Sequence, residues 1–166
     1  MSKHGSDSFT SAEFRVACGL FPTGVTVVTR LTPDRKPHGI TVSSFASLSL
    51  QPPLVLVCID LRSFFLKGLA EGEMFAINVL GEDQKHLSIH FSRPREEGRF
   101  RDVLWHEGEH GVPLLAGAVA TFQCELNRGV DAGDHRILIG IVRRLECRKL
   151  PPLLWCHGSY HTMARR

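Results

Sequence analysis

Two runs rich in Gly, Ser and Thr are the part of this sequence best suited to chemistry. Phe21-Pro-Thr-Gly-Val-Thr-Val-Val-Thr29 is followed, after a turn, by Gly39-Ile-Thr-Val-Ser-Ser-Phe-Ala-Ser-Leu-Ser-Leu-Gln-Pro-Pro-Leu54. Such clusters offer hydroxyls and unhindered backbone N–H groups, which can cradle phosphates and the polar edge of a ring. Neither a GxxxxGK motif nor GxGxxG occurs, so the P-loop and dinucleotide-fold mechanisms do not apply. A nucleotide-like cofactor held in some other way is one reading of Thr41, Ser43, Ser44, Ser47 and Ser49. A strand edge running into a polar loop is the other.

Other chemical groups say less. His106-Glu-Gly-Glu-His110 matches HExxH, which binds zinc only on a helix, where the two histidines share a face. Gly108 at its centre, with Gly111 and Pro113 just beyond, favours a solvated loop, so no metal site is expected. His86 and His90 stand one helical turn apart without a third ligand in view, and read as a surface pair. In Gly133-Asp134-His135 the first two residues suit a tight turn, and on chemistry alone His135 is more often structural than catalytic. Arg93 carries a guanidinium, which suits phosphate. Tyr160 is the only tyrosine.

The elements that must position these groups follow from pattern. Thr10 and Glu13 form a capping box with Phe9 and Phe14 as its staple, so a helix begins at residue 10 and ends before Pro22 and Gly24. Its apolar face is Phe14, Ala17, Cys18 and Phe21. Residues 25–29 and 39–42 read as a hairpin around a proline-flanked turn at 33–37. The continuous apolar run 54–59 suits a buried strand. Ser63 can cap a short helix that stops near Gly72. Residues 74–80 read as a strand and 82–91 as a helix. Residues 92–113 look like an exposed, irregular excursion. Long strands at 118–126 and 137–145 are joined by a loop at 127–135, and a short strand follows at 153–156. Six or seven strands with few helices predict a mainly β chain, an antiparallel barrel with short decorating helices.

A length of 166 residues suggests a flexible tail over residues 1–9 and a single domain over 10–166. A net charge of +3 is too small to argue for nucleic acid, and no apolar run is long enough to cross a membrane. The five cysteines have no CxxC pair, which fits reduced thiols in the cytoplasm.

Taken in order, these segments resemble the short-chain flavin reductase family, the reductase components of two-component flavin monooxygenases. The resemblance rests on the two runs above, on Phe75-Ala-Ile-Asn-Val-Leu80 with Gln84 and Leu87, on Gly133-Asp-His135, and on Leu153-Leu-Trp-Cys-His-Gly-Ser-Tyr160. It implies a Greek-key split barrel, a homodimer, FMN or FAD as the flavin, and NADH or NADPH as hydride donor. A separate monooxygenase would take the reduced flavin, although a flavin-binding protein without turnover is the alternative. By position, Pro22, Thr23, Gly24, Val25, Ser43, Ser44 and Phe45 would border the flavin ring, with Ser49 on the same loop. Ser63, Phe64, Phe91, Ser92 and Arg93 would lie towards the phosphate. His135 would face the nicotinamide as the catalytic residue, with Arg136 and Tyr160 nearby. Arg95, Arg99 and Arg101 are candidates to meet a 2′-phosphate, because they lie in the exposed basic stretch.

Overall fold

The computed structural model describes residues 8–93 and 98–164. The expected tail, apart from residues 8 and 9, and Arg95 lie outside the described residues. Helix α1 spans Ser11–Gly19, with both halves of its capping box made between Thr10 and Glu13. Phe9 and Phe14 stack at 5.8 Å, as a hydrophobic staple requires. Yet no residue of α1 is buried.

The strands are β1 (Thr23–Gly24), β2 (Thr26–Leu31), β3 (Pro37–Val42), β4 (Ala46–Leu50), β5 (Pro53–Asp60) and β6 (Met74–Val79). Helix α2 (Lys85–Ser92) follows, then β7 (Trp105–Glu107), β8 (Pro113–Leu115), β9 (Ala120–Ala132), β10 (His135–Cys147), β11 (Leu154–Cys156) and β12 (Ser159–His161). The main sheet runs β3-β2-β6-β9-β10-β5-β4, antiparallel throughout. Its two edges are consecutive in sequence: β3 ends at Val42 and β4 begins at Ala46. Four Cα steps span at most about 14 Å. Seven strands laid flat would put those edges about 29 Å apart. The sheet must therefore curl until its edges nearly meet, which makes it a barrel. Ser44 clamps the seam, since its hydroxyl accepts from the Cys58 N–H (2.8 Å) and donates to the Cys58 carbonyl (3.1 Å).

Alternation along the strands fills this barrel. Val55, Val57 and Ile59 of β5 point inward at every second position, against Phe65, Phe75, Ile77 and Leu138. Cys124 belongs to the same core, and burial pushes its thiol up to about 12, so it acts as a small hydrophobe. A second core lies outside the barrel, where Leu87 and Phe91 of α2 meet Val25, Val27, Phe100, Leu115 and Leu153.

The structure corrects several expectations. The helix expected after Ser63 is only a single 3₁₀ turn, Phe64–Leu66, capped by the Ser63 hydroxyl. The expected loop at 127–135 is mostly ladder: β9 and β10 pair up to Ala132 and His135, leaving a two-residue turn at Gly133 and Asp134. Gly133 sits at φ +62, which the turn needs and a side chain would resist. Residues 92–113 are not a free excursion either. Arg99, Phe100 and Val112 are buried, and β7 pairs with β8. One expectation is met: the HExxH residues form no α-helix, since His106 lies in β7 and His110 has φ +56, so the histidines do not share a helix face.

Candidate functional site

A continuous trough runs along the outer side of β3, where that edge strand has α2 and not another strand beside it. Its first part, a cavity of about 290 Å³, lies between Val25, Thr41, Ser43, Trp155 and Tyr160. Its second, of about 400 Å³, is bounded by Ser63, Phe64, Phe91, Ser92, Arg62 and Arg93. Thr41 and Ser92 line both, so the two adjoin. A third part, of about 520 Å³, shares His38, Phe64 and Arg99 with the second.

The walls are fixed by polar ties between elements. The Thr41 hydroxyl donates to the Ser88 carbonyl (2.7 Å), and Ser88 Oγ meets the Tyr160 hydroxyl at 2.9 Å. These bonds bind β3, α2 and β12 together at the first part. Trp155 and Tyr160 pack edge to face at 4.7 Å, with Lys85 Nζ 5.3 Å from the tyrosine ring centre. Gly39 lets α2 come close, because a Cβ there would lie 2.9 Å from Phe91. The far end of α2 is closed by Arg99. Its buried guanidinium donates to the carbonyls of Gly39 and Phe91, each at 3.2 Å, and to that of Arg93. A cation at these carbonyls complements the negative end of the helix.

The trough therefore brings together eight of the residues read from the sequence: Val25, Ser43, Ser63, Phe64, Phe91, Ser92, Arg93 and Tyr160. Thr23 and Gly24 form β1, paired with Trp155 and Leu154 behind its wall, and Pro22 is exposed beside them. Ser44 spends its hydroxyl on the barrel seam. The Phe45 ring turns inward onto Phe122 at 5.2 Å. Ser49 accepts from the Gln51 N–H within its own turn. Arg99 is a correction to the exposed basic stretch: it is buried and committed to three carbonyls, while Arg101 is exposed on the third part.

His135 and Arg136 lie apart from the trough walls, at the start of β10. His135 pairs in register with Asp60, and its Nδ1 lies 2.7 Å from Asp134 Oδ1. Arg136 is held by Asp131. The link to the trough is Arg62, which lines the second part and binds Asp60 at 2.7 Å. Hydrogen bonding from Arg62 holds the Asp60 carboxyl well below the usual carboxylate range. His135 does the same to Asp134. Sequence reading missed Arg62, Ser88 and Trp155 as lining residues. The hydroxyl stripe of Ser88 and Ser92, flanking the apolar Leu87 and Phe91, was the available sign of the α2 side.

The donor set has a definite polarity. One end offers flat aromatic walls with hydroxyls, which suits a planar heterocycle with a polar edge. The other offers two guanidinia and two serines, which suits a phosphate.

Comparisons with known proteins agree with this chemistry. Residues 18–164 match the model of the flavin reductase like domain. The chain is 44% identical over 157 residues to the FMN reductase (NADH) SmoA of Agrobacterium fabrum, covering 94% of this chain and 88% of that protein. It is 44% identical over 153 residues to the reductase component of the flavin-dependent trigonelline monooxygenase of Acinetobacter baylyi. That match covers 92% of this chain but only 49% of the relative, so the chain spans about half that protein's length. A solved structure of the NADH:FAD oxidoreductase of Streptomyces globisporus superposes with TM-score 0.88 at 35% identity, covering 99% of this chain and all of the other.

Proposed function

The chain belongs to the flavin reductase like family, and from this premise we propose that it transfers hydride from NADH or NADPH to FMN or FAD and supplies the reduced flavin to a separate monooxygenase. The observation that carries this reading is the polarity of the trough, aromatic and hydroxylic at one end and lined by the guanidinia of Arg93 and of Asp60-paired Arg62 at the other. The bound flavin supplies the ring that accepts the hydride, and the protein supplies orientation and electrostatics. Arg93, Arg62, Ser63 and Ser92 hold the phosphate. Val25, Trp155 and Tyr160 face the ring. Ser43 and the backbone of 43–45 donate to its polar edge, where negative charge develops on reduction. Pro22, Thr23 and Gly24 support that wall through β1. In this reading residues 10–166 act as a single domain, and the unpaired cysteines fit a cytoplasmic location. No helix among the described residues is long and apolar enough to cross a membrane.

Anaerobic addition of NADH to the protein with FMN or FAD tests the reading. Rapid bleaching of the flavin band is expected. A bound flavin that NADH leaves oxidised would make this a flavin-binding protein without turnover.

His135 positions the nicotinamide, and Asp134 orients the imidazole through Nδ1. His135→Ala should raise the KM for NADH about tenfold, the value of one good hydrogen bond, and change kcat less. Unchanged kcat and KM would remove His135 from the site.

A homodimer completes this reading. Phe14, Val16, Leu20 and Phe21 are 55–75% exposed on and just after α1, and Leu50 of β4 is 91% exposed. Large apolar side chains left exposed in this number suit an interface, and a second copy is the occupant proposed. Light scattering of the wild type should give twice the monomer mass, and Phe14→Asp should shift it towards the monomer. A monomeric wild type would overturn the proposal.

A further inference from the structure

The third part of the trough has no task in the reading above, because FMN would end at the phosphate cluster. We propose that it is an adenylate subsite, which holds the adenosine monophosphate half of FAD and makes the dinucleotide the preferred flavin. This rests on the assignment of the first two parts to the flavin ring and its phosphate.

Three observations support it. The cavity adjoins the phosphate end, since His38, Phe64 and Arg99 line both parts, so it is the space next to a phosphate held there. Its walls include the indole of Trp105, half-buried and set edge to face on Phe100 at 5.7 Å. A fixed indole offers a flat surface on which a purine can stack. Its polar groups are also of the right kinds. Exposed Arg101 can meet a phosphate, and Asp34, ion-paired with Lys36 at 3.0 Å, can accept from ribose hydroxyls or the adenine amine. The Thr32 hydroxyl, 2.6 Å away, holds the Asp34 carboxyl down to about 2, so it is an ionised acceptor at neutral pH.

Binding by tryptophan and flavin fluorescence tests this without turnover. The wild type should bind FAD at least tenfold more tightly than FMN, and free AMP should compete with FAD but not with FMN. Trp105→Leu should weaken FAD about tenfold and leave FMN unchanged, because stacking on an aromatic carries about that much. Arg101→Gln, at an exposed position that folding does not need, should weaken FAD in the same selective way. Equal affinity of the wild type for FMN and FAD would overturn the subsite while leaving the flavin site intact. So would variants that weaken both flavins alike. Variants that leave both flavins unchanged but raise the KM for NADH would assign the adenylate chemistry to the nicotinamide nucleotide and overturn the assignment to FAD. A protein that bound neither FMN nor FAD would instead strike the flavin reading itself.

Discussion

Asn78→Ala should lower the unfolding free energy by about 3 kcal/mol, near the upper end for a single substitution. Asn78 is fully buried in β6. Its Nδ2 donates to the Val27 carbonyl and to Thr29 Oγ1, each at 3.0 Å, and its Oδ1 accepts from the Leu115 N–H at 2.9 Å. Thr29 in turn donates to the Pro113 carbonyl. One amide thus ties β6 and β2 of the barrel to β8, and through β8 to the hairpin that carries Trp105. Truncation strands a buried N–H and a buried carbonyl, each costing about 1–3 kcal/mol, and leaves a small void. Urea denaturation checks this, with the midpoint expected to fall at unchanged slope. A loss below 1 kcal/mol would mean that water or a rearranged β8 replaces the amide.

The same residue shows what the sequence can and cannot disclose. Residues 74–80 read clearly as a strand, because the apolar run is continuous, but nothing local says that its one amide faces another layer. The barrel strands and the α1 cap were legible for a related reason: period, turn residues and capping boxes are local. The β7–β8 hairpin was not. Its polar residues look like loop, and what holds it down is distant in sequence: the partners that bury Phe100, Val112, Leu114 and Leu115, and the hydrogen bonds from Asn78 and Thr29. Arg30 is another case. It is 1% exposed in β2, donates to the Lys67 carbonyl at 2.6 Å and lies over Phe65, although a charged residue in a strand ordinarily marks the solvent face. The serines divide in the same way. Composition could not separate Ser43, which lines the trough, from Ser44, which seals the barrel, because both lie in the short link between β3 and β4, where the path of the backbone alone decides which way each hydroxyl points.

Arg99→Met should cost about 2–4 kcal/mol and weaken FMN and FAD together by tenfold or more. The last turn of α2 has carbonyls without partners inside the helix. Arg99 satisfies those of Phe91 and Arg93 and reaches across to Gly39 of β3. Methionine keeps the length and the packing of the stem but leaves three carbonyls without a cationic donor. The Arg93 backbone then loses its anchor, and the guanidinium that the trough aims at phosphate loses its position. Both flavins carry that phosphate, so both should suffer, in contrast to the selective loss expected at Trp105. The stability loss should concentrate locally: amide exchange across Lys85–Ser92 should speed up, because the helix end frays when its cap is removed. Flavin affinity that survives while exchange accelerates would show that Arg93 does not depend on this cap. Exchange that stays slow would show that the contacts of Leu87 and Phe91 alone hold the helix end.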